Sequence, residues 1–308
     1  MGTRIIGWGT ALPEKVVTNA DLEKTLDTSD EWIIERSGIR ERRIGHSTAE
    51  LAVAAGRTAL ANATVDPESI DLTILCTTTP DETVPATSAR VQDELSVGGG
   101  AFDLNAACSG FVYGLVTADA LLGTAAKRIL LIGAETLSRI TDWNDRNTAV
   151  LFGDGGGALV LERTANEGQL LSWDLGIDGS ARNILKSEVG GTIEMDGREV
   201  FKRAVRAVVD SATRTLESAK VGPDEIKLIV PHQANIRIIQ AACDRLEIEH
   251  ERAAIVLDRT GNTSSASIPL ALVDSIEKGR LEDGDLVLMT GFGAGMTWGS
   301  ALIRWNAE

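Results

Sequence analysis

Apolar and polar positions follow two rhythms along this chain. Short contiguous apolar runs have the length and composition of buried strands: DLTILCTTT (71–79), AFDLNAAC (101–108), KLIV (227–230) and DLVLMTGFG (285–293). Other stretches repeat their apolar residues at helical spacing, as in SGFVYGLVTADALL (109–122), GREVFKRAVRAVVDSATRTLE (197–217) and QANIRIIQAA (233–242). Strand runs and helical runs interleave, which predicts an α/β architecture of stacked sheets and helices.

The pattern also repeats within the chain. VDPESIDLTIL from Val65 matches VGPDEIKLIV from Val221 at Val, Pro, acid, Ile and Leu. KRILLIGAE around Leu130 matches DLVLMTGFG around Leu286 at the same offset, and RIIGWG resembles QLLSW. Two similar halves follow, 1–163 and 164–308. Cys108 follows the third strand of the first half, and Asn262 follows the corresponding strand of the second. Both are expected to face the junction between the halves, where ligand sites form.

At 308 residues and 43% hydrophobic content, the chain can bury a large core. No apolar run approaches the roughly 20 residues of a membrane span, and MGTRIIGWGT is not a signal peptide. Three cysteines without framework spacing fit a reducing cytoplasm, and no Cys/His spacing suggests a metal site. A net charge of −15 argues against nucleic acid and anionic membranes as partners. Lys202, Arg203 and Arg206 share one helix face, readable either as a basic patch or as a solvated surface.

Cys108 is the most informative residue. It lies in DLNAACSGF, at a predicted strand-to-helix turn, where free N–H groups and the helix dipole favour a thiolate. The plain alternative is a small buried side chain, which suits Cys76 and Cys243 within their apolar runs. Among three histidines, His46 and His250 sit among polar or charged neighbours and read as exposed, whereas His232 follows the strand KLIV and Pro231. His232 is either a structural histidine or a functional one on a rigid element. Asn262, in TGNTSSAS, reads as a turn residue or as an amide donor to a developing oxyanion. GFGAGMTWG is a glycine-rich turn between strands, where the Ala294 N–H could join the Cys108 N–H in an oxyanion hole.

DEWIIERSGIRERR, AACSGF, VPHQANIR, RTGNTSSASIPLAL and GFGAGMTWGSALIRW together resemble the β-ketoacyl-[acyl-carrier-protein] synthase III family, from LPEKVVTNADLEK to the final strand. The resemblance implies the thiolase fold, two duplicated halves in five α-β-α-β-α layers. It implies an acyltransferase that initiates type II fatty-acid synthesis by decarboxylating condensation of an acyl-CoA primer with malonyl-acyl-carrier-protein, through an acyl-cysteine. Cys108, His232 and Asn262 would be the catalytic residues, with Phe292 beside them. GFGAGMTWG lacks the second cysteine of biosynthetic thiolases, and Asn262 stands where elongating synthases have a second histidine.

The resemblance further implies that Trp32 and Arg146 sandwich the adenine of CoA. Arg36 would contact a CoA phosphate, and Asn235 would hold the pantetheine arm. Arg237, Lys202 and Arg203 would dock the acidic carrier protein, although Asp244 and Arg245 keep only half of the family's basic pair. Val84 stands where acetyl-selective members often carry phenylalanine, on a loop expected to reach the acyl pocket of a homodimer partner. That substitution implies tolerance of branched or longer primers, and the shorter connection GIDGSARNILKSEVGGTIEMDG borders the same tunnel. No cofactor is needed beyond the CoA thioesters. A paralogue priming polyketide or signal-molecule synthesis would use the same residues, whereas a silent scaffold is disfavoured because all three catalytic positions are filled.

Overall fold

The structure, a computed structural model, describes residues 2–165 and 168–306. β1 (Gly2–Ala11) is followed by the short antiparallel pair β2 (Val16–Thr18) and β3 (Glu41–Arg43), then by β4 (Leu72–Cys76), β5 (Gly100–Leu104), β6 (Arg128–Thr136) and β7 (Asp154–Thr164). The main sheet has the order β1-β7-β6-β4-β5. β4 runs parallel to both neighbours, and β7 is antiparallel to β6 and β1. A second sheet is built from β8 (Leu170–Ile177), β11 (Ile226–Pro231), β12 (Leu286–Gly293) and β13 (Thr297–Arg304), in the order β11-β12-β13-β8. Between them in sequence, β9 (Leu185–Ser187) and β10 (Ile193–Met195) form a small antiparallel pair.

The helices are α1 (Asn19–Leu22), α2 (Asp30–Ser37), α3 (Thr48–Ala63), α4 (Thr87–Leu95), α5 (Gly110–Leu122) and α6 (Arg146–Ala149) before the second sheet begins. α7 (Gly197–Ala219), α8 (Ile236–Leu246), α9 (Leu257–Thr260) and α10 (Ser267–Glu277) follow. α3 and α4 cover the outer face of the first sheet, α7 with α8 covers the second, and α5 and α10 lie between the sheets. The result is the five-layered α/β arrangement of the thiolase fold. α5 is apolar nearly all round because both of its faces are buried. Phe111, Leu115 and Leu122 pack between Leu131 of one sheet and Met289 of the other, each burial worth about 1.5–3 kcal/mol.

The two copies of the Val-Pro-acid-Ile motif adopt the same local structure. α3 ends on Thr64 at φ 53, turns at Pro67–Ser69 and enters β4. α7 ends on Lys220 at φ 58, turns at Pro223–Glu225 and enters β11. Two strand expectations need correction. AFDLNAAC does hold a strand, but β5 is a partly exposed sheet edge, not a buried strand. Nor does Asn262 follow a full strand: the segment before it contributes only the isolated bridges Ile229↔Ala253 and Phe152↔Asn262.

Candidate active site

Cys108 sits in a one-turn 3-10 segment between β5 and α5, as the apolar pattern predicts. The preceding Ala107 is held at φ 50, a left-handed conformation that a non-glycine residue adopts only under tertiary constraint. That constraint is visible. Ser109 Oγ lies 2.8 Å from both the Ala106 carbonyl and Thr297 Oγ1, and Thr297 Oγ1 donates to the Ala106 carbonyl at 2.9 Å. The turn is thereby tied to the β12–β13 hairpin. Gly293 in that hairpin lies so close that a Cβ there would stand 2.5 Å from the Cys108 nitrogen. The glycine-rich turn is thus backbone packed on backbone.

The surroundings of Cys108 oppose the expected thiolate. Burial pushes the Cys108 thiol up to about 12, the nearby Ser264 hydroxyl pulls it back, and the Glu135 charge adds to the rise. A helix terminus contributes up to about 2 kcal/mol. At a thiol that is only half-buried, desolvation and the Glu135 charge act against the helix terminus. Cys76 and Cys243 are buried within their elements, as their apolar context suggests.

His232 follows β11 directly, at 3% exposure. Its N–H donates to the Thr290 carbonyl at 2.8 Å. The next residue, Gln233, is fully buried; its amide donates to the Pro231 and Ala254 carbonyls and accepts from the Val256 and Leu257 N–H groups. His232 Nδ1 lies 2.6 Å from Ser267 Oγ, which also receives the Gln233 N–H at 3.3 Å. A serine proton directed to Nδ1 would leave the imidazole proton on Nε2, facing the cavity. Burial lowers the imidazole to about 3, so it is neutral at physiological pH. The Phe292 ring meets it edge-on, with centroids 5.5 Å apart. His46 and His250 are exposed and pair with Glu14 and Asp244.

Asn262 is 6% exposed, and its Oδ1 accepts the Ser264 N–H at 2.9 Å. The carbonyl end of the amide is therefore occupied and Nδ2 is left as the donor. Cys108, His232, Asn262 and Phe292 all line one cavity of about 990 Å³, with Gly293 on its wall. The structure thus gathers the three chemistry-bearing side chains from separate stretches of chain. Ala294, half-buried, follows Gly293 at the hairpin tip.

Trp32, Arg36 and Asn235 line the mouth of the same cavity, and the connection before α7 contributes Asn183, Leu185 and Met195. Two binding expectations change. The Arg146 guanidinium lies 4.9 Å from the Trp32 ring centroid and donates to the Asp27 carbonyl at 2.7 Å. An adenine between the two planes needs about 7 Å, so this slot is closed by direct guanidinium–indole contact. Arg36 also approaches Trp32, at 5.6 Å. The Asn235 amide is already engaged: Nδ2 donates to the Arg36 carbonyl at 2.7 Å and Oδ1 caps α8 at Arg237 N–H. It braces the mouth while lining it.

The basic patch is smaller than its sequence. Arg203 pairs with Asp178 at 3.2 Å and Glu199 at 3.5 Å, and Arg206 with Asp210 at 3.5 Å. Asp178 comes from another segment, while Glu199 and Asp210 are neighbours one turn away on the same helix. Lys202 is exposed, and Arg237 lies over the Phe201 ring at 5.6 Å on the cavity rim. Val84 is 85% exposed at the tip of the β4–α4 loop and does not line this chain's own cavity.

Sequence reasoning missed Ser267, Ser264 and Arg198. The first two read as ordinary helix-start serines, with no signal of what they face. Arg198 lines the cavity at the start of α7, while the acids beside it are engaged: Asp196 caps the helix and Glu194 pairs with Lys186.

Comparison with known proteins agrees with this geometry. Residues 102–179 match the family described as 3-oxoacyl-[acyl-carrier-protein] synthase III, and residues 216–305 match its C-terminal part. The β-ketoacyl-[acyl-carrier-protein] synthase III of Roseiflexus castenholzii is 48% identical over 323 residues, covering 98% of each chain. The crystal structure of the synthase III from Aquifex aeolicus superposes with a TM-score of 0.97 at 47% identity, covering 99% of this chain and 100% of that one. The priming β-ketosynthase of the R1128 polyketide pathway gives a TM-score of 0.94 at 35% identity, covering 98% and 96%. The chain belongs to the β-ketoacyl-[acyl-carrier-protein] synthase III family, the condensing acyltransferases that initiate fatty-acid synthesis.

Proposed function

We propose that Cys108, His232 and Asn262 carry the two half-reactions of this condensation. Cys108 Sγ attacks the acyl-CoA carbonyl, and the thiol proton leaves with the CoA sulfur. The N–H groups of Cys108 and Ala294 stabilise the tetrahedral oxyanion; the backbone contact between Gly293 and Cys108 supports this pairing. Malonyl-acyl-carrier-protein then loses CO2, and the enolate attacks the acyl-cysteine and expels the Cys108 thiolate, which is reprotonated from solvent. His232 Nε2–H and Asn262 Nδ2–H donate to the thioester oxygen as its charge grows, each worth about 3–4 kcal/mol of barrier. The observation that carries this reading is that a neutral, oriented imidazole and an oriented amide line one cavity with the cysteine.

The same reading has the nucleotide displace Arg146 from Trp32, Arg36 meet a CoA phosphate and Asn235 border the pantetheine. Arg237 and Lys202 remain available to an acidic carrier protein, while Arg203 contributes less because it is ion-paired. The halves 1–163 and 164–308 are read as a duplication, and the enzyme as a cytoplasmic homodimer. Exposed Val84 would enter the partner's acyl pocket, leaving space for branched or longer primers. The reaction calls for no cofactor beyond its thioester substrates. Among the described residues, no helix is long and apolar enough to cross a membrane.

A second reading, priming of a specialised pathway, is favoured by the likeness to the R1128 priming ketosynthase. Purified protein incubated with acetyl-, isobutyryl- or octanoyl-CoA should gain the acyl mass on Cys108, and Cys108→Ala should not. Chasing with malonyl-acyl-carrier-protein or malonyl-CoA identifies the acceptor. A wild-type protein that takes no acyl group from any donor would overturn the reading.

A further inference from the structure

Glu135, at the inner end of β6, is fully buried, and among the described residues no basic side chain pairs with it. Burying an unpaired carboxylate is costly unless hydrogen bonds replace its water. Here neutral donors from two segments do so. Oε2 accepts from the Thr77 hydroxyl at 3.2 Å, the Thr78 N–H and hydroxyl at 3.0 Å, and the Thr79 N–H and hydroxyl at 3.1 and 2.6 Å. Oε1 accepts the Thr78 N–H at 3.1 Å and the Ser265 N–H at 3.4 Å, and lies 2.9 Å from the Ser265 hydroxyl, which donates to the Cys76 carbonyl at 2.7 Å.

Backbone N–H groups can only donate, so both oxygens must be acceptors. A carboxylate meets that demand and an amide does not, because its NH2 would face donors.

The two segments explain why the location matters. Thr77–Thr79 leaves β4 toward the Val84 loop. Ser265 lies between Asn262 and Ser267, the residue whose hydroxyl meets His232. The fit is close: a Cβ on Gly133 would stand 2.4 Å from the Ser265 carbonyl oxygen. We propose that Glu135 is a positioning residue for the decarboxylation step, holding the 262–267 segment through Ser265 so that the Asn262 amide and the His232 proton converge on the thioester oxygen. This rests on the catalytic reading above. In that reading, acyl transfer to Cys108 leans mainly on backbone donors of a different turn and meets the anchored segment at the Ser264 hydroxyl, so it depends on the anchor less than condensation does.

The test separates the half-reactions in wild type, Glu135→Gln and Ser265→Ala. Single-turnover acylation of Cys108 by acyl-CoA is read by intact mass, and condensation with malonyl-acyl-carrier-protein by steady-state kinetics. Glu135→Gln is expected to lower condensation kcat by about 10- to 100-fold, within the range of losing one oxyanion donor. The KM for the malonyl substrate should stay within about threefold, and acylation should be equal or faster. The acceleration has a physical source, because the Glu135 charge opposes ionisation of Cys108. Ser265→Ala keeps that charge and removes the hydroxyl from both Glu135 and the Cys76 carbonyl, so it should slow condensation about fivefold and leave acylation unchanged. If Glu135→Gln does not fold, Glu135→Asp, which keeps the charge but withdraws the carboxylate, takes its place beside Ser265→Ala. Acylation and condensation falling together, or neither falling, would overturn the proposal. A wild type that is never acylated would instead sink the catalytic reading on which it stands.

Discussion

The Cys108 turn and the Asn262 turn are built alike and held differently. Each contains one non-glycine residue in the left-handed region, Ala107 at φ 50 and Ser264 at φ 47. Each leads into a helix lying between the sheets. The Cys108 turn leaves a paired strand and is clamped by close backbone contact with the β12–β13 hairpin. The Asn262 turn has no strand behind it and is held by isolated bridges and buried polar contacts to Glu135, His232 and Leu151. Both turns are closely packed, but the nucleophile's turn leans more on backbone contact with the hairpin and the polar donors' turn more on buried hydrogen bonds.

Filling the space should do the greatest harm. Gly293→Ala places a methyl 2.5 Å from the Cys108 nitrogen, so acylation measured by mass should fall about 10³-fold. Wild-type acylation rates in that variant would break the comparison. On the polar side, Asn262→Ala should lower condensation by about 10²-fold while acylation stays within about threefold. Equal loss in both half-reactions would show that the turns do not divide the work.

The His232 contrast is testable through stability. Its folded value of about 3 lies below the usual 6.5, so between those values the unfolded chain binds a proton that the folded chain refuses. Its contribution is complete above pH 6.5 and is lost on acidification. At pH 5 the loss is about 2 kcal/mol relative to neutral pH, read by urea unfolding. His232→Gln should remove that part of the acid sensitivity, and an unchanged profile would contradict it. The smallest effect is expected at the rim. Arg237→Glu should raise KM for malonyl-acyl-carrier-protein about tenfold and spare acyl-CoA, whereas equal losses would remove the docking patch.

Much of this was legible in the chain, and what was not has a common cause. The strand-to-helix placement of Cys108, the strand-end placement of His232 and the hairpin glycines follow from apolar spacing, which the core enforces. Motif order then carries Trp32, Arg36 and Asn235 to one cavity mouth. Spacing does not report how a polar side chain is already engaged. Arg203, Asn235 and Arg146 each found a partner far away in sequence or across a helix turn. Glu135 did leave a trace, as the lone acid closing an otherwise apolar strand in KRILLIGAE, but its donors come from residues 77–79 and 265. The edge position of β5 also depends on pairing order, which local sequence does not encode.

The raised thiol of half-buried Cys108 has a consequence for the enzyme's life between turnovers. Peroxide and other oxidants attack the thiolate. Desolvation and the Glu135 charge both raise the Cys108 thiol, which disfavours the thiolate at pH 7. A raised thiol slows that attack, so the surroundings that oppose the thiolate also shield the sulfur from oxidation.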